Sequence, residues 1–394
     1  DPDAAEGLAA VADRRGAVVL TLGADRGGSL GARSAGLVSA HGVVACGPDD
    51  LAALLYTSGT TGRSKGAMLT HANLVSNAQT LARTWHFSAS DVLLHALPIF
   101  HTHGLFVAVN TCLAAGARLI FQPGFDPRAV FDAMPRATVM MGVPTFYTRL
   151  LADPRLDRQA VAHMRLFVSG SAPLLTETHE QFEQRTDHRI LERYGMTETN
   201  MNSSNPYDGE RRAGTVGQPL PDVEIRITDA ADGTLSPVGK IGMIEVRGPN
   251  VFAGYWRMPE KTMTELRPDG WFITGDLGQF SADGYLAIVG RQKDLIISAG
   301  CNIYPKEIEL LIDEQQGVVE SAVFGVAHAD LGEAVAAAVV VDPAAGLDAE
   351  AILAGLRSRI ARFKQPRQVK IVEALPRNAM GKVQKNLLRE QFSS

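Results

Sequence analysis

The chain has 394 residues, 38 basic and 43 acidic side chains and a net charge of −5, a balance that excludes a surface built for nucleic acid or anionic membrane. Hydrophobic residues make up 45% and charged residues 21%, which excludes a disordered chain and is enough apolar material for two or more cores. Three cysteines, Cys46, Cys112 and Cys301, are an odd number set too far apart for a zinc site or a disulfide framework, so the expected setting is a reducing, cytoplasmic one.

In chain order, AAEGLAAVADRRG reads as a helix and AVVLTL (17–22) as a short buried strand. The glycine-rich stretch Gly23–Gly36 reads as an exposed loop. The acidic, Ala-rich opening DPDAAEGLAA lacks the basic-then-apolar pattern of a signal peptide. LLYTSGTTGRSKGAMLTH (Leu54–His71) then sets a strand-like run against a loop of Gly, Thr and Ser with Lys65 at its end. Such a loop turns several backbone N–H groups and hydroxyls toward one point and suits an anion such as a phosphate. It is not a Walker loop, since Ser64 stands where the second glycine belongs and Gly66 follows Lys65 in place of Ser or Thr.

Helix and strand then alternate through HANLVSNAQTLARTW, DVLLHALP, ARLIFQP, RAVFDAMPRA and ATVMMGV, the pattern of a layered, mostly parallel sheet. From Val223 the segments VEIRITDA, GMIEVRGP, GWFITGDLGQF and GYLAIVG alternate apolar and polar residues between Gly/Asp turns, predicting antiparallel strands that form a small barrel-like subdomain over about 215–290. After GRQKDLI, a helix starting near Pro305, strands at ESAVFGV and AVAAAVVV, a helix at AEAILAGLRSRIA and the strand QVKIVEAL predict a separate α+β unit. AVAAAVVV is the longest apolar run and is too short to span a membrane. The expected class is α/β. A large domain covers 1–292, and a small mobile lid covers 293–394.

YTSGTTGRSKG, PIFHTHG, SGSAPL, RYGMTET, GWFITGDLG, GRQKDLI and PRNAMGKVQK occur in this order between Tyr56 and Lys385. Together they resemble the adenylate-forming superfamily of acyl-CoA synthetases, luciferases and peptide-synthetase adenylation domains. The resemblance implies attack of a carboxylate on the ATP α-phosphate, followed by attack of a thiol on the acyl-adenylate. Thr57, Ser58, Gly59, Thr60, Thr61, Gly62 and Lys65 would then hold phosphates. Thr197 and Glu198 would serve the α-phosphate and a Mg2+ ion, a hard cation that takes carboxylate and phosphate oxygens. Gly170, Ser171 and Ala172 would lie along one adenine face with Tyr194 and Gly195 on the other. Asp276 would accept from the ribose hydroxyls, with Arg291 donating to the same sugar.

The resemblance further makes Lys382 the lysine that bridges carboxylate and α-phosphate, and a plausible target of a lysine acetyltransferase. It makes Lys293 the hinge about which the lid turns, and puts Ala299 and Gly300 at the coenzyme A tunnel. Ala299 departs from the double glycine usual there. FHTHG, GVPTFYTRLL and TETNMNSSNPYDGE resemble the malonyl-CoA synthetases in particular. Read alone, Arg149 is a helix-surface arginine. Within this resemblance it becomes the partner of a second substrate carboxylate, a charge that must be paired when buried. His101 or His103 would contact the substrate, the other being a packed ring, with His101 favoured as the wall that gates entry. Ser171 would donate to the distal carboxylate, and Thr102 and Met201 would crowd the carbon between the carboxylates.

Family members carry about a hundred further residues ahead of the phosphate loop, so the resemblance implies a chain that starts inside the large domain. The implied activity is ATP-dependent ligation of malonate or methylmalonate to coenzyme A. The alternatives are a ligase for another short acid, an enzyme that loads a carrier protein, or a nucleotide-binding protein without activity.

Overall fold

The structure, a computed structural model, describes residues 5–23, 25, 27–37, 42–57, 64–230, 232–378 and 381–393. The chain forms two compact units, Asp1–Cys46 and Gly47–Ser394. The first holds a helix, Ala5–Arg15, and a short helix, Ser29–Ser34, within the segment expected to be a loop. The strand expected at 17–22 is not formed, and Val18, Leu20 and Leu22 are exposed. A strand needs a hydrogen-bonding neighbour, and none is present among the described residues of that unit.

The second unit begins with a hairpin of β1 (Leu51–Thr57) and β2 (Lys65–Thr70), whose ends Thr57 and Lys65 face each other across the turn. A seven-stranded sheet follows. Its members are β3 (Val92–His95), β4 (Arg118–Phe121), β5 (Val139–Gly142), β6 (Leu166–Ser169), β7 (Leu191–Met196), β8 (Asn200–Ser204) and β9 (Gln218–Pro219), in the spatial order β4-β3-β5-β6-β7-β8-β9. Pairing is parallel from β4 to β7 and antiparallel from β7 to β9. The inner parallel strands β3, β5 and β6 are buried along their whole length, which explains their apolar runs, whereas the edge strand β4 is partly exposed. The helix His71–Thr84 opens with a reciprocal cap between Thr70 and Asn73 and buries Leu74, Ala78 and Leu81. Trp85, Tyr147, Phe167 and Phe182 fill the space between helices and sheet, each fully buried ring contributing roughly 1.5–3 kcal/mol.

The expected antiparallel segments form β10 (Glu224–Thr228), β11 (Gly242–Arg247), β12 (Phe272–Phe280) and β13 (Leu286–Arg291). They pair in sequential order as an open meander, and among the described residues no pairing joins β10 to β13 to close a barrel. The last sheet contains β14 (Ile296–Ser298), β15 (Cys301–Ile303), β16 (Val318–His328), β17 (Gly332–Val341) and β18 (Gln368–Ile371). Helix Pro305–Asp313 packs Ile308 and Ile312 on one face of it, and Leu388 and Phe392 cover the other. Two of the four apolar clusters draw on residues 67–288 and two on residues 296–392. No helix among the described residues is long and apolar enough to cross a membrane.

Candidate active site

The C-terminal ends of β3, β5, β6 and β7 converge on one rim, where open α/β sheets place their ligands. Arg193, on β7, is the central feature. It is 3% exposed, and its Nε and Nη2 have no hydrogen-bond partner among the described residues. Burial lowers the guanidinium to about 9. Its plane lies against Gly170 at the end of β6, where a Cβ would come within 2.4 Å of the Arg193 Cζ, so only glycine admits the side chain. Ser171 follows in the left-handed region, with φ +73°, a strained backbone that the surrounding fold must hold. Its hydroxyl meets Nδ1 of His103 at 3.1 Å.

His103 begins a seven-residue π-helix, His103–Val109, a rare form that tends to mark functional segments. It is fully buried, its Nε2 has no partner, and burial followed by Arg193 holds the ring well below the usual histidine range. His101 is lowered to about 4 by burial, Arg193 and Lys382, so it is neutral near pH 7. Its Nδ1 accepts the His103 N–H at 3.1 Å, which puts the ring proton on Nε2. His95 on β3 lies close enough to disfavour charge on His103, and it too is lowered to about 4 by burial. Arg193 and three neutral imidazoles thus form a pocket that combines one positive charge with hydrogen-bond donors.

Thr102 and Met201 are both buried beside this pocket. The Thr102 hydroxyl donates to the Asn200 amide oxygen at 3.2 Å. Met201 is held by its backbone on Asn77 and Asn250, and its Cε fills the place that a Cβ on Gly195 would occupy, 2.3 Å away.

The next β7 residue, Tyr194, turns its hydroxyl to Asp276 on β12 and donates at 2.6 Å. The second Asp276 oxygen pairs with Arg291 Nε of β13 at 2.8 Å. Each carboxylate oxygen keeps a further lone pair for another donor. After β7, Thr197 and Glu198 are buried in the turn to β8, and Glu198 Oε1 accepts from Tyr255 Oη at 2.9 Å. Burial and the neighbouring Glu198 and Glu265 push the Tyr255 phenol far above its usual range. Lys65 Nζ donates to the same hydroxyl at 3.0 Å. The expected phosphate residues Ser58, Gly59, Thr60, Thr61 and Gly62 lie outside the described residues, whereas Thr57 and Lys65 flank that segment. Among the described residues no cluster of three or more metal-ligating side chains occurs. Mg2+ is commonly held by one or two carboxylates with substrate phosphates, so a buried Glu198 with one oxygen uncommitted fits it.

Lys382 sits on a tight loop in which Asn378 N–H donates to Lys382 O at 3.0 Å and Lys382 N–H donates to Asn378 Oδ1 at 3.0 Å. The loop reaches across to the first turn of the helix Pro144–Leu151, so close that a Cβ on Gly381 would stand 3.5 Å from Thr145 Oγ1. The Lys382 side chain keeps solvent access along one side while protein surrounds the rest. That crowding, together with Arg291 and Lys293, lowers its ammonium to about 8 against the opposing pull of Asp276 and Asp294. Arg377 on the same loop pairs with Glu320 of β16, and Lys385 pairs at 2.6 Å with Glu309 of the helix Pro305–Asp313, fastening one end of the loop to the small sheet and the other to the helix packed on it.

Arg149, the expected partner of a second carboxylate, lines a cavity with Phe125, Phe146, Arg377 and Gly381. Helix Pro144–Leu151 buries Phe146, Tyr147 and Leu150, and Arg149 is exposed, 5.9 Å over the Phe125 ring. A carboxylate beside it would stay solvated. The buried guanidinium is Arg193, a residue of the quoted RYGMTET segment to which the sequence reading gave no role. Lys293 is exposed in the 3-10 turn Gln292–Asp294 between β13 and β14. Ala299 and Gly300 form the two-residue turn joining β14 to β15, both left-handed with φ +49° and +77°.

Two family profiles match, AMP-binding enzyme over residues 2–256 and AMP-binding enzyme C-terminal domain over residues 307–382. The chain is 39% identical to a probable CoA ligase of Humulus lupulus, over 87% of this chain and 61% of that protein. It is 37% identical to the malonate–CoA ligase of Arabidopsis thaliana, over 88% of this chain and 61% of that protein. The chain thus spans about 61% of the length of these curated relatives. Among solved structures, MatB from Rhodopseudomonas palustris is 59% identical over 100% of this chain and 78% of that chain. The TM-score is 0.97 against its ATP-bound form and 0.82 against its apo form. On these matches the chain belongs to the AMP-binding enzyme family.

Proposed function

We propose that the chain ligates malonate, or methylmalonate, to coenzyme A at the expense of ATP. A carboxylate oxygen bonds to the α-phosphorus as pyrophosphate leaves, and the coenzyme A thiol then displaces AMP to give malonyl-CoA. The observation that carries this reading is Arg193, a buried guanidinium with Nε and Nη2 unpartnered. Such a group needs an anion, and a planar carboxylate meets its two parallel donors. Ser171 and His103 stand beside it as further donors, so a monocarboxylate that spends its one charge on the α-phosphate leaves Arg193 unpaired. The name of the Arabidopsis malonate–CoA ligase agrees with this choice, and the ATP-bound state of MatB agrees with the nucleotide.

In this reading Lys382 bridges the attacking carboxylate and the α-phosphate. Its placement near Asp276 and Arg291, and the nearer likeness to ATP-bound than to apo MatB, support the adenylation pose. Asp276 and Arg291 take the ribose, Gly170–Ala172 and Tyr194 flank the adenine, and Thr197, Lys65 and the 58–62 loop take phosphate. Glu198 would hold a Mg2+ ion, which supplies charge neutralisation at the phosphates. His101, neutral and beside both Arg193 and Lys382, gates the acid's entry. Residues 1–292 act as the large domain and 293–394 as the lid, which turns about Lys293 and brings the Ala299–Gly300 turn to coenzyme A. Solvent access at Lys382 leaves it reachable by a lysine acetyltransferase. The exposed free thiols of Cys46 and Cys301 suit a reducing cytoplasm.

The test is acid-dependent pyrophosphate release across malonate, methylmalonate, succinate, butyrate, octanoate and benzoate. Malonate or methylmalonate should exceed the monocarboxylates by at least about a hundredfold, the scale of one unpaired buried charge. Equal rates across the panel, or a preference for butyrate, would refute the dicarboxylate reading.

A further inference from the structure

Tyr255 is 2% exposed, with its ring packed edge-on against Phe252 at 4.8 Å. Three charged groups converge on its hydroxyl: Lys65 Nζ at 3.0 Å, Glu198 Oε1 at 2.9 Å and Glu265 Oε2 at 2.7 Å. An ammonium only donates and an ionised carboxylate only accepts, so the phenol oxygen accepts from Lys65. Its single proton can serve one carboxylate at a time.

The two carboxylates differ in what else they hold. Glu265 lies 2.5 Å from Lys261 Nζ and 3.7 Å from Lys65 Nζ, so two cations meet its charge. Glu198 is buried and has no ion pair among the described residues, so the phenol is its described side-chain partner. While Lys65 is in this position, Glu198 gains more from the phenol proton than Glu265 does.

We infer that the Tyr255 hydroxyl is a two-position hydrogen-bond switch, set by Lys65, that decides whether Glu198 is occupied or available to a divalent cation. The inference rests on the ATP-ligation reading, in which Lys65 serves the nucleotide phosphates. When phosphates draw Lys65 away, Glu265 loses one of its two cations and the phenol proton turns to it. That turn is a rotation about one C–O bond and moves no backbone. Glu198 is then a buried carboxylate without a donor, the state in which a cation binds it best. Nucleotide arrival at Lys65 thereby readies Glu198, and cation binding before nucleotide is suppressed.

The probe is Mn2+ alone, titrated by electron paramagnetic resonance into the nucleotide-free full chain. A hydrogen bond to a charged group is worth a factor of about ten or more. Tyr255→Phe keeps the ring against Phe252 and should tighten Mn2+ about tenfold. Lys65→Met should do the same by sending the phenol proton to Glu265. Because both act on one switch, the double variant should gain no more than either single. Adding Glu198→Gln to Tyr255→Phe should remove the gain, which locates the cation. No tightening in Tyr255→Phe or in Lys65→Met, or a double variant near a hundredfold, would overturn the switch. Calorimetric ATP binding to the wild-type chain in chelator separates the two claims. If ATP does not bind, the ligase reading fails; if it binds while the Mn2+ effects multiply, only the switch fails.

Discussion

The rim of β6 and β7 and the Lys382 loop each bring one cation to the same site, by opposite physical means. Arg193 is locked in a core, its guanidinium flat against Gly170 and two of its nitrogens unpaired. Lys382 stands on a loop that satisfies its own backbone through Asn378 and keeps solvent along one side. In the proposed reaction the first would meet a substrate group that never changes charge. The second is a charge that can be delivered and withdrawn, fitted to a step in which negative charge builds up and is then released. A fixed site needs burial, which raises its selectivity. A movable one needs a loop with few ties to the body, and here ties run instead to β16 through Arg377–Glu320 and to the helix Pro305–Asp313 through Lys385–Glu309.

The largest expected effect breaks the movable half. Lys382→Ala should lower adenylate formation by about three to five decades, the scale of a single cation acting on a transferring phosphoryl group. Coenzyme A attack on supplied malonyl-adenylate should stay within a few fold. Equal loss in both half-reactions would contradict a charge used in one pose only. The pH profile offers a second reading. The ammonium is the active form and is lowered to about 8 in the free protein, so adenylation kcat/KM should hold below that pH and fall above it. Lys382→Arg, if active, should lose that limb, because a guanidinium stays charged.

The second effect tests the fixed half. Arg193→Met should lower malonate kcat/KM by roughly two to four decades, since an unpaired carboxylate in that pocket forfeits about 3–5 kcal/mol. Folding stability should hold or rise, because a buried, unpaired guanidinium is replaced by an apolar side chain. Butyrate should lose little. Arg149→Ala, by contrast, should change malonate kcat/KM less than about fivefold, as expected for an exposed cation. Reversal of the two arginines in this assay would restore Arg149 as the specificity residue.

These two arginines also show how far the sequence carries. The ordered motifs brought Lys382, Asp276, Glu198, Ser171 and His103 to one rim, and the alternating texture located the parallel and antiparallel sheets. The motifs mark residue types at fixed spacing, and such spacing survives folding. Burial of a single side chain is a tertiary property that motif spacing does not carry, so Arg193 drew no reading and Arg149 drew two. A signal was available for Arg149: at about 100° per residue it lies roughly 107° away from the centre of the face formed by Phe146, Tyr147 and Leu150. Arg193 could have been noticed as a charge inside a strand that ends in Tyr-Gly-Met, with the glycine partner twenty-three residues earlier invisible until the strands pair. AVVLTL failed for a different reason. Its apolar pattern is right for a strand, but pattern does not supply the neighbouring edge.

Within the fixed pocket, size should matter less than charge. Replacing Thr102 with Gly and Met201 with Val should raise the ratio of ethylmalonate to malonate turnover by tens of fold, since one methylene in a pocket shifts discrimination by roughly 1–3 kcal/mol. The Met201 Cε contact with Gly195 makes Met201 the larger contributor. An unchanged ratio would place both side chains away from the carbon between the carboxylates, and the pocket would then select by charge alone.

The smallest effect belongs to the mobile half, at the turn between β14 and β15. Ala299 holds φ +49° there, a left-handed conformation that disfavours an L side chain by roughly 1–2 kcal/mol. Its N–H donates to Leu331 O at 2.8 Å, so the turn is pinned and cannot relax to avoid the strain. Ala299→Gly removes that strain but gives the unfolded chain more freedom, worth about 0.4–1 kcal/mol in the other direction. The balance is a net stabilisation of about 0.5–1 kcal/mol, readable as a shift in the denaturant midpoint of the full chain. If this turn also faces coenzyme A once the lid has swung, loss of the methyl should lower KM for coenzyme A by a few fold and leave the pyrophosphate burst untouched. A variant that is less stable would mean that the left-handed turn is not strained at Ala299. A changed burst amplitude would mean that the turn already matters in the adenylation pose, which would dissolve the separation between a fixed pocket and a lid that serves one step at a time.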